Sequence, residues 1–188
     1  MRKYEGYEQA EAKTGEYEKL PAGGYICRIL QAKAEENDGT KNYDTLLKIA
    51  FDIAEGEHKD YYRRQFDRKK QSNPDAKWPG MYYQTVKADD LGFFKGFITT
   101  IEKSNPGFKW DWDERKLVGK LFGGIFGEEE YKANDGSIKT SVKCRFVRSI
   151  DTIREGKYTI PPKKTLEGNR NTSVSADAPL DDDDLPFQ

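Results

Sequence analysis

Apolar and polar residues alternate with a period of two over several stretches of this chain. Residues 25–34 and 43–54 both show this alternation, which predicts two β-strands with one face buried. Between them, Asn37-Asp38-Gly39 is typical of a hairpin loop. A third strand is predicted at residues 61–66, after the turn residues Glu55-Gly56-Glu57. The first part of the chain is therefore predicted to be a three-stranded meander.

A helical period follows a basic, proline-containing connection at residues 67–83. Asp89 or Asp90 would cap this helix, and Ser104-Asn105-Pro106-Gly107 would end it. The apolar residues that share one helical face are Leu91, Phe94, Ile98 and Ile101.

Two more strands are predicted after the helix. The fourth covers residues 116–127, where Gly123-Gly124 indicates a bulge or a tight bend. Asn134-Asp135-Gly136 is a hairpin turn signal, and the fifth strand covers residues 137–148. Its two predicted faces are Ile138, Thr140, Val142, Cys144 and Phe146 on one side and Lys139, Ser141, Lys143, Arg145 and Val147 on the other.

The predicted fold class is all-β with one helix. Three strands, a helix and two strands is the element order of the OB-fold, a five-stranded Greek-key barrel with the helix between strands 3 and 4. We expect residues 1–19 to be a flexible N-terminal arm, residues 20–162 to be the OB-fold-like domain, and residues 163–188 to be a disordered linker and acidic tail.

Charge is distributed unevenly along the 188 residues, whose net charge is −1. Residues 177–188 contain five Asp and no Lys or Arg, so residues 1–176 carry +4. A mildly basic body with an acidic tail is typical of a binding module with an interaction tail. Cys27 and Cys144 lie in strand-like segments, and no secretory or membrane-spanning segment is present, which favours free thiols in a cytoplasmic protein.

The C-terminal tip combines four consecutive carboxylates with an apolar end. It consists of Asp181, Asp182, Asp183, Asp184, Leu185, Pro186 and Phe187, followed by Gln188. Such a tip suits docking into an apolar pocket with a basic rim. It resembles the tip of bacterial and phage single-stranded DNA-binding proteins, although Phe is usually the last residue in that family. The resemblance implies replication or recombination enzymes as partners. Because the body does not match the usual bacterial family beyond the tip, we expect a phage or mobile-element version.

Binding of single strands needs cations for the phosphates and flat rings for the bases. The predicted DNA-binding residues are Arg28, Lys48, Tyr61, Tyr62, Arg63, Arg64, Trp78, Lys139, Lys143 and Arg145. Trp78 has the cations Arg68, Lys69, Lys70 and Lys77 near it in sequence.

The chain offers little for catalysis, because it has one histidine, two separated cysteines and no phosphate-loop or nucleophile-elbow motif. The expectation is a non-enzymatic, sequence-nonspecific single-stranded DNA-binding protein without metal or cofactor. Its tip would recruit enzymes, and it would also compete with DNA for the basic surface. One alternative is a protein-interaction adaptor or decoy that uses the tip and ignores DNA. Another is a carboxylate-metal nuclease, for which Asp111, Asp113 and Glu114 are the nearest cluster. The oligomeric state stays open, with an edge strand or the N-terminal arm as the means of forming a homo-oligomer.

Overall fold

The computed structural model describes residues 2, 4, 5, 7–9 and 19–166 of the chain. Within them lie five strands and three α-helices: β1 (Gly23–Glu36), β2 (Thr45–Ile53), α1 (Tyr61–Ser72), β3 (Met81–Val86), α2 (Gly92–Ser104), β4 (Leu121–Lys132), β5 (Ile138–Arg148) and α3 (Ile150–Arg154). Short 3-10 helices lie at Tyr7–Gln9 and Glu114–Leu117. The protein is thus β-rich, but it has more helix than the single element predicted.

The five strands form one antiparallel sheet in the order β3-β2-β1-β4-β5. The central strand β1 divides its length between two neighbours. Its residues 23–28 pair with β4, whereas residues 27–36 pair with β2. The two halves of the sheet are therefore offset along β1, and β3 and β5 are left as its two edges.

Aromatic side chains fill the core on one side of this sheet. Phe51 of β2 lies at their centre, with edge-on contacts to Tyr62 and Phe122 at ring-centroid distances of 5.4 Å and to Phe126 at 6.0 Å. Such edge-to-face pairs add to the free energy gained by burying the rings. Tyr62 reaches this cluster from α1, so the helix is part of the core.

The predicted third strand at residues 61–66 is wrong, because these residues begin α1. Residue Asp60 before the helix has a left-handed φ of 58° and provides no side-chain cap. The cap comes from Asp52 of β2, whose carboxylate accepts the backbone N–H groups of Tyr62 at 2.9 Å and Arg63 at 3.0 Å. Since free N–H groups at a helix start need acceptors, a carboxylate from a neighbouring strand stabilises this start. Asp60 thus stands where local sequence rules look for a capping residue, but the capping carboxylate is that of Asp52.

The third strand is instead Met81–Val86, which begins directly after Trp78-Pro79-Gly80. Its first three residues fall in the segment that was predicted as a connection. Strands β1, β2 and β5 lie where alternation predicted them, and β4 begins and ends five residues later than predicted. The predicted helix is confirmed as α2, which ends at Ser104. The predicted cap by Asp89 or Asp90 is wrong, because Leu91 occupies the N-cap position and its side chain provides no cap. Asp90 lies one residue earlier and accepts the N–H of Gly92 at 3.2 Å.

A β-bulge changes which residues of β5 face the core. Ile125 pairs with Phe146 but Phe126 pairs with Cys144, so Arg145 is an extra residue on β5. A bulge residue swaps the two faces of a strand beyond it. Val142, Cys144 and Val147 pack inward, whereas Phe146 is 44% exposed. The predicted placement of Phe146 and Val147 on opposite faces holds, but their sides are exchanged.

Asn105 joins the end of α2 to the start of β4. Its side-chain amide donates to the carbonyls of Ile101 and Leu121, both at 2.8 Å, and its side-chain oxygen accepts the N–H of Leu121 at 2.9 Å. Replacing Asn105 with alanine removes all three bonds and is expected to lower the free energy of unfolding by about 2–3 kcal/mol. Urea denaturation measures this change, and an unchanged unfolding midpoint would contradict it.

None of the helices in the described part of the chain is long and apolar enough to cross a membrane.

Candidate functional site

A groove of about 1720 Å³ lies between the two edges of the sheet. We call it the β3–β5 groove. Helix α1, the loop of residues 73–79 and β3 line one side, and β5 with the outer end of β4 lines the other. The loop between β1 and β2 contributes residues 41–43.

Cations outnumber carboxylates among the residues that line the groove. The cations are Lys19, Lys41, Lys69, Lys77, Lys143 and Arg145, and the carboxylates are Asp75, Glu128 and Glu129. The lining therefore carries a net charge of about +3, which attracts a polyanion. The net charge of the groove lining, about +3, is nearly as large as the net charge of +4 for all of residues 1–176.

The aromatic residues of the groove belong to two sets. Tyr61, Tyr62 and Trp78 are buried and form its floor. Trp78 is only 4% exposed, and its indole N–H donates to the carbonyl of Phe51 at 3.0 Å. The hydroxyl of Tyr61 accepts from the N–H of Leu20 at 3.1 Å and from the amide of Gln65 at 2.6 Å. These three residues are parts of the core, so their faces cannot stack on a base.

The second set of rings reaches solvent. Tyr83 of β3 is 36% exposed and Tyr131 of β4 is 41% exposed, whereas Tyr43, in the loop before β2, is half-buried. None of these three rings was among the predicted binding residues. Tyr83 lies in the strand that alternation did not reveal, and Tyr131 lies beyond the predicted end of the fourth strand. Tyr82 lies deeper, stacked at 6.0 Å on Phe97 of α2, and burial raises its pKa above that of a free tyrosine.

Of the predicted cations on β5, Lys143 and Arg145 line the groove. The amine of Lys143 lies 3.5 Å from the carboxylate of Glu129 and is exposed. Lys139 lies outside the groove lining, at the hairpin turn, where it forms an ion pair of 3.3 Å with Asp135. Of the three cations predicted as DNA-binding residues on strand five, two therefore lie in the groove and one lies outside it.

The other predicted cations also lie outside the groove lining. Arg63 and Arg64 are exposed on α1, with the guanidinium of Arg63 5.5 Å from the ring centre of Trp78 and that of Arg64 donating to the carbonyl of Lys59. Arg28 is exposed on β1. The amine of Lys48 forms a 2.7 Å ion pair with Glu35 across the β1–β2 pair, and this hydrogen bond lowers the pKa of Glu35.

The helix that carries Lys69 into the groove depends on Asp52. Besides the two N–H groups of α1, the Asp52 carboxylate accepts its neighbour Ile53's N–H at 2.8 Å. Burial raises the pKa of Asp52, against the opposing effect of these three donors. Gly80 allows the chain before β3 to lie close to Phe51 of β2 and to Tyr62 of α1. A Cβ at residue 80 would collide with the Phe51 carbonyl and with the Tyr62 ring.

Among the described residues, no group of three or more His, Cys, Asp or Glu is placed to hold a metal ion. In the acidic cluster considered for a nuclease, Asp113 pairs with Arg115 at 2.8 Å and Asp111 pairs with Lys116. Cys27 and Cys144 are free thiols, and Cys27 is fully buried.

The tip of residues 181–188 lies outside the described residues. Comparison of the chain with protein-family models and with curated proteins finds no match.

Proposed function

We propose that this chain is a non-enzymatic protein that binds single-stranded DNA without sequence preference in the β3–β5 groove. The observation that carries the proposal is the composition of the groove, with six cations, three carboxylates, exposed rings at Tyr83 and Tyr131, and a half-buried ring at Tyr43. Lysines and arginines contact phosphates of any sequence, and aromatic faces stack on any base. No donor and acceptor pattern specific to one base is needed.

The arrangement of the sheet supports an OB-type barrel. Such a barrel binds oligonucleotides on the face of strands 2 and 3 and with the loops between strands 1 and 2 and between strands 4 and 5. The groove is lined by β3, by residues 41–43 between β1 and β2, and by the ends of β4 and β5. Closure of the barrel would require β3 to approach β5. Cys144 and Arg148 of β5 lie close enough to Tyr82 of β3 to influence its pKa. Helix α2 contacts both edge strands.

Titration with oligo(dT) at several salt concentrations tests the proposal. The expected result is quenching of tyrosine or tryptophan fluorescence and an affinity that falls as the salt concentration rises. A protein that ignores oligo(dT) even at low salt would instead act as an adaptor through its tip. Degradation of the oligonucleotide on addition of magnesium would favour a nuclease.

The two lysines of β5 provide a matched pair for the phosphate contacts. Replacing Lys143 with glutamine is expected to reduce the slope of log affinity against log salt by about 0.7, the value for one lost contact to a single strand. The same replacement at Lys139, outside the groove, is expected to leave the slope unchanged. Equal slopes for both variants would contradict the placement of DNA in the groove.

The second half of the proposal concerns the tip, which would recruit replication or recombination enzymes. Its four carboxylates would meet a basic rim, and Leu185 and Phe187 would fill an apolar pocket. The same negative charge would compete with phosphates for the groove. Deleting residues 177–188 is therefore expected to tighten DNA binding at low salt and to abolish recruitment. Unchanged affinity in the truncated protein would argue against the competition.

A further inference from the structure

The chain after α3 returns to the sheet and lies along β4. We call residues 161–166 the C-terminal strap. The N–H of Lys164 donates to the carbonyl of Glu128, and the N–H of Glu130 donates to the carbonyl of Lys164, both at 2.9 Å. This parallel bridge occupies the side of β4 that β1 vacates beyond Phe126. The backbone of the strap is thus fixed beside the groove, and its residues 163–166 fall in the segment predicted as linker.

Both lysines of the strap pair with carboxylates of β4. Lys163 lies 2.8 Å from Glu130, and this contact lowers the pKa of Glu130. Lys164 lies 3.2 Å from one oxygen of the Glu129 carboxylate, and Lys143 lies 3.5 Å from the other oxygen. Glu129 therefore bridges one lysine of the strap and one lysine of the groove.

The three side chains of this bridge differ in exposure. Glu129 and Lys164 are 16% and 20% exposed, whereas Lys143 is 60% exposed. A carboxylate with a single lysine partner would hold that lysine and repel an approaching phosphate. With Lys164 also present, the three groups have a net charge of +1, and the exposed Lys143 can turn to a phosphate while Glu129 keeps a partner.

We propose that Lys164 is a positioning residue for the phosphate-binding side of the groove: it neutralises Glu129 and so frees Lys143 for an anionic ligand. This inference rests on the proposed function, because the ligand in question is the phosphate backbone of a single strand. It assigns to the strap a part in binding that is separate from that of the acidic tip.

A double-mutant cycle over Lys164 and Glu129 tests this role with oligo(dT) at low salt. Lys164→Gln alone is expected to weaken binding by roughly five- to tenfold, the effect of one uncompensated charge near the ligand. In a Glu129→Gln background, the same replacement is expected to change affinity less than about twofold, since no carboxylate needs neutralising. Equal losses in both backgrounds would show that Lys164 contacts the nucleic acid itself. No loss in either background would overturn the role altogether.

Lys163 is the matched control, because it lies on the same strap and carries the same charge. Its partner Glu130 is not among the residues that line the groove. Lys163→Gln is expected to leave affinity within about twofold, and a loss equal to that of Lys164→Gln would overturn the inference. Lys164→Arg keeps the charge and is expected to keep the affinity. Thermal unfolding of each variant then separates an effect on binding from an effect on the fold.

A failure of the proposed function can be distinguished from a failure of this inference. If the native protein does not bind oligo(dT), the proposed function fails, and the same cycle is measured with inorganic polyphosphate, which carries phosphate charge without bases. Dependence of polyphosphate binding on Lys164 only when Glu129 is present would support the inference by itself. Absence of polyphosphate binding, or binding indifferent to Lys164, would overturn it.

Discussion

Replacing Asp52 with alanine is expected to lower the free energy of unfolding by about 3–5 kcal/mol, because three N–H groups lose a charged acceptor. Two of these N–H groups belong to Tyr62 and Arg63 in the first turn of α1, and the third belongs to Ile53. Since α1 carries Tyr62 into the core, loss of its first turn would also disturb the packing around Phe51. Urea unfolding followed by circular dichroism measures the effect. A loss below about 1 kcal/mol would mean that water replaces the carboxylate without difficulty.

The pH dependence of this contribution has a definite sign. Burial raises the pKa of Asp52 in the folded protein, so the folded state holds the proton more tightly than the unfolded chain. The contribution of Asp52 to stability is therefore largest below its unfolded pKa and falls as the pH rises through its folded pKa. Asp52→Asn is the control, because it cannot titrate and keeps one acceptor oxygen. The stability of the native protein relative to this variant should decrease with rising pH over that interval, and an increase would contradict the raised pKa.

Replacing Tyr83 or Tyr131 with alanine is expected to weaken oligo(dT) binding by about 1–3 kcal/mol for each ring, or about 5- to 150-fold. These two rings lie in the groove and reach solvent, whereas Trp78 and Tyr61 are covered by the core. Replacing both is expected to cost more than either change alone. Fluorescence or anisotropy titration at constant salt gives the affinities.

Phenylalanine variants and one distant ring complete this test. Tyr83→Phe and Tyr131→Phe keep the stacking surface and should bind nearly as well as the native protein. Phe93 of α2 is 79% exposed but does not line the groove, so Phe93→Ala should leave affinity unchanged. If Phe93→Ala weakened binding as much as Tyr83→Ala did, the single strand would follow another surface.

Most of the sheet could be predicted from the sequence, because apolar and polar residues alternate in the segments that form β1, β2 and β5, although β2 is in fact buried on both faces over most of its length. Helix α1 was not predicted, although Asp60 directly before it is a residue type that favours a helix start. The carboxylate that accepts its first N–H groups belongs to Asp52 of β2, and no local sequence pattern shows this contact. The composition of α1 held a signal, as residues 63–72 contain no β-branched residue and many Arg, Lys and Gln. The exchange of faces on β5 depends on Arg145 being an extra residue in the bulge. This could not be predicted from β5 alone, because a bulge is defined by the pairing of β5 with β4.

The sequence predicted the kinds of residue in the candidate site, which are cations and aromatic rings, better than it predicted which residues line the groove. Lys143 and Arg145 were predicted and line the groove, whereas Lys48 is engaged by Glu35 on another part of the sheet. Tyr61 and Tyr62 were predicted from a strand in which one ring would point outward, but in a helix both face the core. A ring beside cations in sequence is thus weak evidence for stacking, because the local conformation decides whether its face meets solvent.

The hydrogen bonds that hold Lys164 against β4 also define the origin from which the last residues of the chain extend. Leu166 is the last described residue, and Phe187 follows it by 21 positions. A polypeptide of that length spans at most about 75 Å, whatever path it takes. Any enzyme captured by Phe187 would therefore be confined to a sphere centred on the end of the C-terminal strap, where its local concentration depends on tether length and not on its abundance in the cell.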